Sequence, residues 1–224
     1  MTDYVLVHGA WGGGWAFDRL AAGLREAGHR VLVAELTGLG SRRDELHPGI
    51  TLSTHIDDVC RQIAARGFDR VVLVGHSFGG MVITGVAARL GARIDALVCL
   101  DAFLPGDGQS LWDVTGDWEH EAYIAGQKDA PGPVAPIFGA ARSAKLGRHP
   151  LLTLLEPVHF TGEEAKVPRQ EYIFATEYQP TPFAKFRDRV HGEAGWSVHE
   201  WPASHDVMSD QPEKLLALLL DCAG

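Results

Sequence analysis

The sequence predicts an α/β fold: a predominantly parallel six-stranded sheet flanked by helices, with a small helical cap inserted after the fourth strand. Three observations carry this. Short β-branched apolar runs alternate with stretches of helical periodicity along most of the 224 residues, the pattern of βαβ units, whose parallel strands need a crossover between them. The strand-like runs are apolar at successive rather than alternate positions, as strands covered on both faces must be. The one long break in the alternation, residues 104–168, falls between two strand-like runs, which marks an insertion within a single domain spanning 1–224. A chain of this length buries about 70% of its unfolded surface, enough for a continuous core.

The elements follow in order. Tyr4-Val5-Leu6-Val7-His8 reads as a buried strand running into the loop Gly9-Ala10-Trp11-Gly12-Gly13-Gly14. Leu20, Leu24 and Ala27 keep helical spacing, closed by Gly28, and Val31-Leu32-Val33-Ala34 is the second strand. Leu52, Ile56, Val59 and Ile63 share one helical face, ended at Gly67, before the third strand, Val71-Val72-Leu73-Val74. Residues 81–90 read as a buried helix and 96–100 as the fourth strand. Residues 104–168, with Trp112, Trp118, Tyr123 and the Pro131-Gly132-Pro133 turn, lack strand patterning and are expected to cap the carboxyl ends of the sheet. Tyr172-Ile173-Phe174-Ala175 and the run 196–201 are strands five and six. Asp210 and Glu213 stand at capping-box spacing before a last helix that presents the leucines between 215 and 220.

Composition removes several function classes. Lys plus Arg is 20 against 29 Asp plus Glu, a net charge of −9, and no basic cluster beyond Arg42-Arg43 offers a face to nucleic acid. No apolar run approaches the length of a membrane span, and the first residues lack a basic, signal-like start, so a cytoplasmic protein without membrane partners is expected. The three cysteines, Cys60, Cys99 and Cys222, form neither a CxxC nor a disulfide framework and fit reduced thiols. The eleven histidines include no HExxH and no paired Cys/His spacing, so no metal is expected. The sequence carries no signal for oligomeric state.

Gly75-His76-Ser77-Phe78-Gly79 matches G-x-S-x-G, a pattern that chance produces about 0.1 times per chain at this glycine and serine content. It follows a strand and opens a helix, where a sharp turn leaves the serine exposed above the sheet. A serine hydroxyl needs a base to take its proton. His205 lies between the sixth strand and the last helix, which suits that role, whereas His191 and His199 are worse placed. His76 is expected to point away from the serine, and His8 to hold the adjacent loop. A carboxylate must orient the base; Asp101, directly after strand four, is preferred to the alternative Glu177, after strand five, and to Asp206. Two amides should form an oxyanion hole: that of Phe78 and that of Ala10, with Trp11 as the alternative to Ala10. Trp11, Phe103 and Trp112 are expected to line an apolar substrate pocket.

Val5-Leu6-Val7-His8-Gly9-Ala10-Trp11, Gly75-His76-Ser77-Phe78-Gly79-Gly80 and Ser204-His205-Asp206-Val207-Met208 before Pro212 resemble the α/β-hydrolase superfamily along nearly the whole chain. Within it, the chain is similar to the compact branch of plant-type hydroxynitrile lyases and salicylate-binding methyl esterases, with their bacterial relatives. The resemblance implies an α/β-hydrolase core without the N-terminal hairpin. Many members carry Asp just beyond the fifth strand, where this chain has Glu177-Tyr178-Gln179; some use the position after the preceding strand, which favours Asp101. The lyases place a lysine directly after the histidine, and here that residue is Asp206, which argues against a lyase. The expected function is therefore a serine-dependent carboxylesterase that cleaves a small apolar or aromatic ester or lactone through an acyl-enzyme, without cofactor. Its rivals are a carbon–carbon bond hydrolase or cofactor-free lyase or oxygenase on the same fold, and a non-catalytic protein that binds a small ligand.

Overall fold

Six strands carry the sheet: β1 (Asp3–Val7), β2 (Arg30–Ala34), β3 (Val71–His76), β4 (Ile94–Leu100), β7 (Gln170–Ala175) and β8 (Trp196–Trp201), with the short β5 (Pro133–Val134) and β6 (His149–Pro150) between β4 and β7. The computed structural model describes residues 1–137 and 145–223. Residues 138–144 of the expected cap, and the last residue of the 1–224 domain, lie outside the described residues. The six long strands pair in the order β2-β1-β3-β4-β7-β8, every pair parallel. All six match the expected strands, displaced at their ends by at most two residues.

Side chains of the inner strands face one of two helical layers. Val5, Val7, Leu73, Leu97 and Phe174 pack with α2 (Leu52–Ala65) and α3 (Gly79–Leu90) on one face; Tyr4, Leu6, Val72, Val98 and Ile173 pack with α1 (Asp18–Glu26) and α8 (Pro212–Asp221) on the other. Tyr4, Val5, Leu6 and Val7 are all fully buried, and each such side chain contributes about 1.5–3 kcal/mol by leaving water. Both faces being covered is why these strands show no polar alternation.

Chain order reverses between β1 and β3, since β2 lies on one side of β1 and β3 on the other. In open parallel sheets a crevice forms at such a point, beyond the carboxyl ends of the strands. The loops after β1 and β3 meet there with almost no spare room. A Cβ on Gly79 would sit 2.5 Å from the Val7 carbonyl oxygen, and one on Gly80 would sit 2.0 Å from that of Phe103. Glycine is the only residue that allows α3 to start so close to the neighbouring loops.

Two expectations need correction. The segment between β4 and β7 is not purely helical: besides α4 (Asp117–Ala125) and α5 (Leu152–Leu155) it holds the antiparallel pair β5–β6, in which Val134 opposes His149. Two residues per strand are too few to produce an alternating pattern. The last helix has no Asp210–Glu213 capping box. Its N-cap is Gln211, with Pro212 opening the helix after the short α7 (Val207–Asp210). The Asp210 carboxylate instead accepts from the Ser204 amide at 2.7 Å, because α7 turns that carboxylate back towards the loop after β8.

Candidate active site

Ser77 sits in the turn from β3 into α3 at φ +55°, a left-handed conformation costly for a residue with a Cβ. The turn is held by neighbours: the Ser77 amide donates to the Leu100 carbonyl at 3.2 Å, and the Ser77 carbonyl accepts from Phe103 at 3.1 Å and from Gly80 at 3.0 Å. The side chain lies above the amino end of α3, where unpaired amides and the helix dipole favour negative charge.

Asp101 follows β4 directly and is also left-handed, at φ +40°. Its amide donates to the Ile173 carbonyl at 2.7 Å. The fully buried carboxylate has both oxygens engaged: Oδ1 accepts from the Ala175 amide at 3.2 Å and Oδ2 from His205 Nδ1 at 2.7 Å. Burial pushes this carboxyl up to about 7, and the Ala175 amide and His76 pull it partly back. Glu177, the alternative acid, is exposed; its amide donates to the Ala203 carbonyl, so the backbone there extends the β7–β8 pairing.

His205 is 6% exposed. Its ring stacks on Phe183 at 5.0 Å and 9° and on Tyr178 at 4.9 Å and 26°. His76 does not merely point away from the serine. Its Nε2–H donates to the His205 carbonyl at 2.8 Å, which fixes the backbone of the loop. Burial, and then His205, lower the His76 pKa to about 3, so it stays a neutral donor. The Ser204–Asp210 contact secures the same loop from the other side. His191 is exposed after α6 (Ala184–Val190), and His199 in β8 pairs with Glu171 at 2.7 Å, so neither is near this cleft.

Ser77, Phe78 and His205 wall a single cleft together with Ala10, Trp11 and Phe103. Most of its remaining lining is apolar and comes from the inserted segment, including Leu111, Tyr123 and Leu154, or from Tyr178 and Phe183. Trp112 is not part of the wall. It stacks on His120 at 3.7 Å and 2°, facing away into the inserted segment, because its amide is tied to the Leu154 carbonyl. Sequence reasoning missed Tyr178 and Phe183, although the Pro180 and Pro182 turn between them was the signal that the chain doubles back there.

The loop after β1 is equally defined. His8 Nδ1–H donates to the Gly9 carbonyl at 2.9 Å. In a trans peptide the N–H opposes the C=O, so this bond turns the Ala10 amide away from the His8 ring. Trp11 is left-handed at φ +61°. Among the described residues, no acceptor meets the amides of Ala10 and Phe78, while the Trp11 amide donates to His149. No group of three or more His, Cys, Asp or Glu among the described residues is arranged to hold a metal ion.

Comparison with known proteins agrees with this architecture. The model of the alpha/beta hydrolase family matches residues 4–218. A carbendazim hydrolyzing esterase from Nocardioides sp. (strain SG-4G) is 39% identical, covering 97% of this chain and all of its own. Polyneuridine aldehyde esterase from Rauvolfia serpentina is 28% identical over 97% of this chain and 94% of its own. Among solved structures, an extracellular alpha/beta-hydrolase from a Paenibacillus species, described as sharing homology with tobacco salicylic acid binding protein 2, superposes with a TM-score of 0.85 at 21% identity, covering 100% of this chain and 99% of that one. With its sheet order, its strand–serine–helix turn and a family match over nearly its whole length, the chain belongs to the α/β-hydrolase family and is a carboxylic ester hydrolase.

Proposed function

We propose that Ser77, His205 and Asp101 form a catalytic triad that cleaves a small uncharged ester or lactone through an acyl-enzyme. The observation that carries this is the buried 2.7 Å bond from His205 Nδ1 to Asp101, in a residue whose ring walls the same cleft as Ser77. With Nδ1–H committed to Asp101, the proton of Ser77 passes to Nε2. Ser77 Oγ then bonds to the ester carbonyl carbon. The amides of Ala10 and Phe78 stabilise the resulting oxyanion, and the alcohol leaves with the proton carried by His205. Water, deprotonated by the same histidine, releases the acid and restores Ser77. Asp101 orients the imidazole and balances its charge, so the pair passes between one and two protons during turnover.

The substrate class follows from the walls. Trp11, Phe78, Phe103, Tyr123 and Phe183 present ring surface to the cleft, and among the described residues Glu119 brings a carboxylate to it. Aromatic faces favour flat apolar acyl or alcohol groups, and a carboxylate at the cleft disfavours anionic esters. Among the described residues no helix is long and apolar enough to cross a membrane. The three unpaired thiols, Cys60, Cys99 and Cys222, support a reducing, cytosolic setting. The test is a fluorophosphonate probe with mass spectrometry, alongside turnover of aryl esters, lactones and carbendazim. The expected adduct is on Ser77, and Ser77→Ala should lose at least about 10³-fold in kcat, roughly 4 kcal/mol of barrier. A folded Ser77→Ala enzyme that keeps near-normal turnover excludes the mechanism.

A further inference from the structure

The inserted segment does more than roof the cleft. Trp11, the residue after Ala10, is bound by that segment through each of its polar groups. Its amide donates to His149 Nδ1 at 3.3 Å, its indole Nε1–H donates to the Val134 carbonyl at 3.0 Å, and its carbonyl accepts from the Gly147 amide at 2.8 Å. Val134 and His149 are the facing residues of the β5–β6 pair. The left-handed turn at Trp11 is therefore held by a hairpin more than a hundred positions away in sequence.

His149 is fully buried, and its proton position follows from its partners. Thr153 donates its hydroxyl to the Pro150 carbonyl at 2.7 Å, so the 2.7 Å contact between Thr153 Oγ1 and His149 Nε2 has Nε2–H as donor. Nδ1 is then a bare acceptor, which the Trp11 amide requires. Burial, with His55 and His8 nearby, holds the ring neutral. The same ring meets Phe78 edge to face at 4.6 Å. One side chain thus touches Phe78, which carries one oxyanion amide, and pins the Ala10–Trp11 peptide next to the other.

We infer that His149 is a positioning residue for the oxyanion hole, through which the inserted segment sets the Ala10 and Phe78 amides for catalysis. The inference rests on the assignment of those amides in the mechanism above. His8, directly after β1, fixes the Gly9–Ala10 peptide, and His149 fixes the next peptide from the inserted segment. Losing the second constraint removes the bond that holds the Trp11 amide itself, and so loosens a strained turn that Trp11 does not hold alone.

The test compares His149→Asn with His149→Gln. Asn carries an acceptor oxygen at the same bond count from the backbone as Nδ1 and can still receive the Trp11 amide. Gln reaches instead to the Nε2 position and leaves that amide unpaired. Each variant is assayed on phenyl acetate and on its thionoester, whose sulfur is a poor partner for amide donors. His149→Gln should lose about 30-fold or more in kcat on the oxygen ester with KM within about threefold, a fraction of the 10²–10³ that follows removal of a whole donor. Its oxygen-to-sulfur rate ratio should fall about tenfold, and His149→Asn should restore both to within about threefold of the parent enzyme. Near-normal kcat in His149→Gln overturns the inference. So does an equal loss in both variants with an unchanged ratio, because that is packing alone. Failure of fluorophosphonate to label Ser77 in the parent enzyme overturns the serine mechanism itself, whereas labelling with an unaffected His149→Gln overturns only the role of His149.

Discussion

Replacing Asp101 by Asn should disable the enzyme by reversing a single proton position. Asp101 Oδ1 accepts from the Ala175 amide and Oδ2 from His205 Nδ1. In Asp101→Asn the oxygen must stay towards the Ala175 amide, since an NH2 group there would face another donor. The NH2 group then points at His205 Nδ1, which can only accept it. The imidazole proton moves to Nε2, and the nitrogen that should take the Ser77 proton is already occupied. A wrong tautomer of this kind costs up to about 10⁴ in kcat, or roughly 5 kcal/mol. We expect folded Asp101→Asn to lose several hundred-fold or more on an aryl acetate, and Glu177→Gln, an exposed site, to lose less than about tenfold. The stability check has a definite sign. Burial raises the Asp101 carboxyl to about 7, so keeping it ionised at neutral pH opposes folding, and the Asn variant should have a Tm equal to or above that of the parent. Asp101→Asn within tenfold of normal, or a larger loss in Glu177→Gln, would refute the reasoning.

Three further outcomes follow. The kcat/KM profile should fall on the acid side as the Asp101–His205 pair takes up its second proton, and His205→Gln should be inactive across the range; a flat profile or an active variant moves the base elsewhere. Stability should drop in acid: His8, His55, His76 and His149 are all lowered by burial, His55 to about 4 and His76 to about 3. Below the ordinary histidine value of about 6.5 the unfolded chain takes up protons that these four buried rings refuse, and the raised Asp101 carboxyl offsets part of that difference, so urea unfolding should show stability falling as the pH drops below about 6, and stability that stays flat or rises there contradicts these burials. Gly80→Ala places a Cβ 2.0 Å from the Phe103 carbonyl oxygen; overpacking against backbone should cost about 3 kcal/mol in denaturant unfolding and most of the activity, and an unchanged Gly80→Ala enzyme would mean that the turn yields freely.

Local pattern was enough for the parallel sheet, because both of its faces are buried and apolar runs such as 71–74 and 96–100 have no other stable placement. It was also enough for the serine turn, because G-x-S-x-G between a strand and a helix is a local pattern, although the carbonyls that demand Gly79 and Gly80, those of Val7 and Phe103, lie far along the chain. Placing Asp101 and Glu177 each after a strand left both open, and the preference for Asp101 came from the resemblance; the fold puts the Asp101 carboxylate 2.7 Å from His205 Nδ1. The remainder depends on groups far apart in sequence. The Asp210–Glu213 spacing read as a helix cap, yet the carboxylate serves Ser204, since a short turn of helix redirects it. Trp112 read as pocket and lies outside it, because its amide is tied to Leu154 and its ring to His120. His76 and His149 carried no sequence signal at all. A histidine that fixes a distant backbone by one hydrogen bond leaves no periodicity, and only the folded chain brings its partner within 3.3 Å.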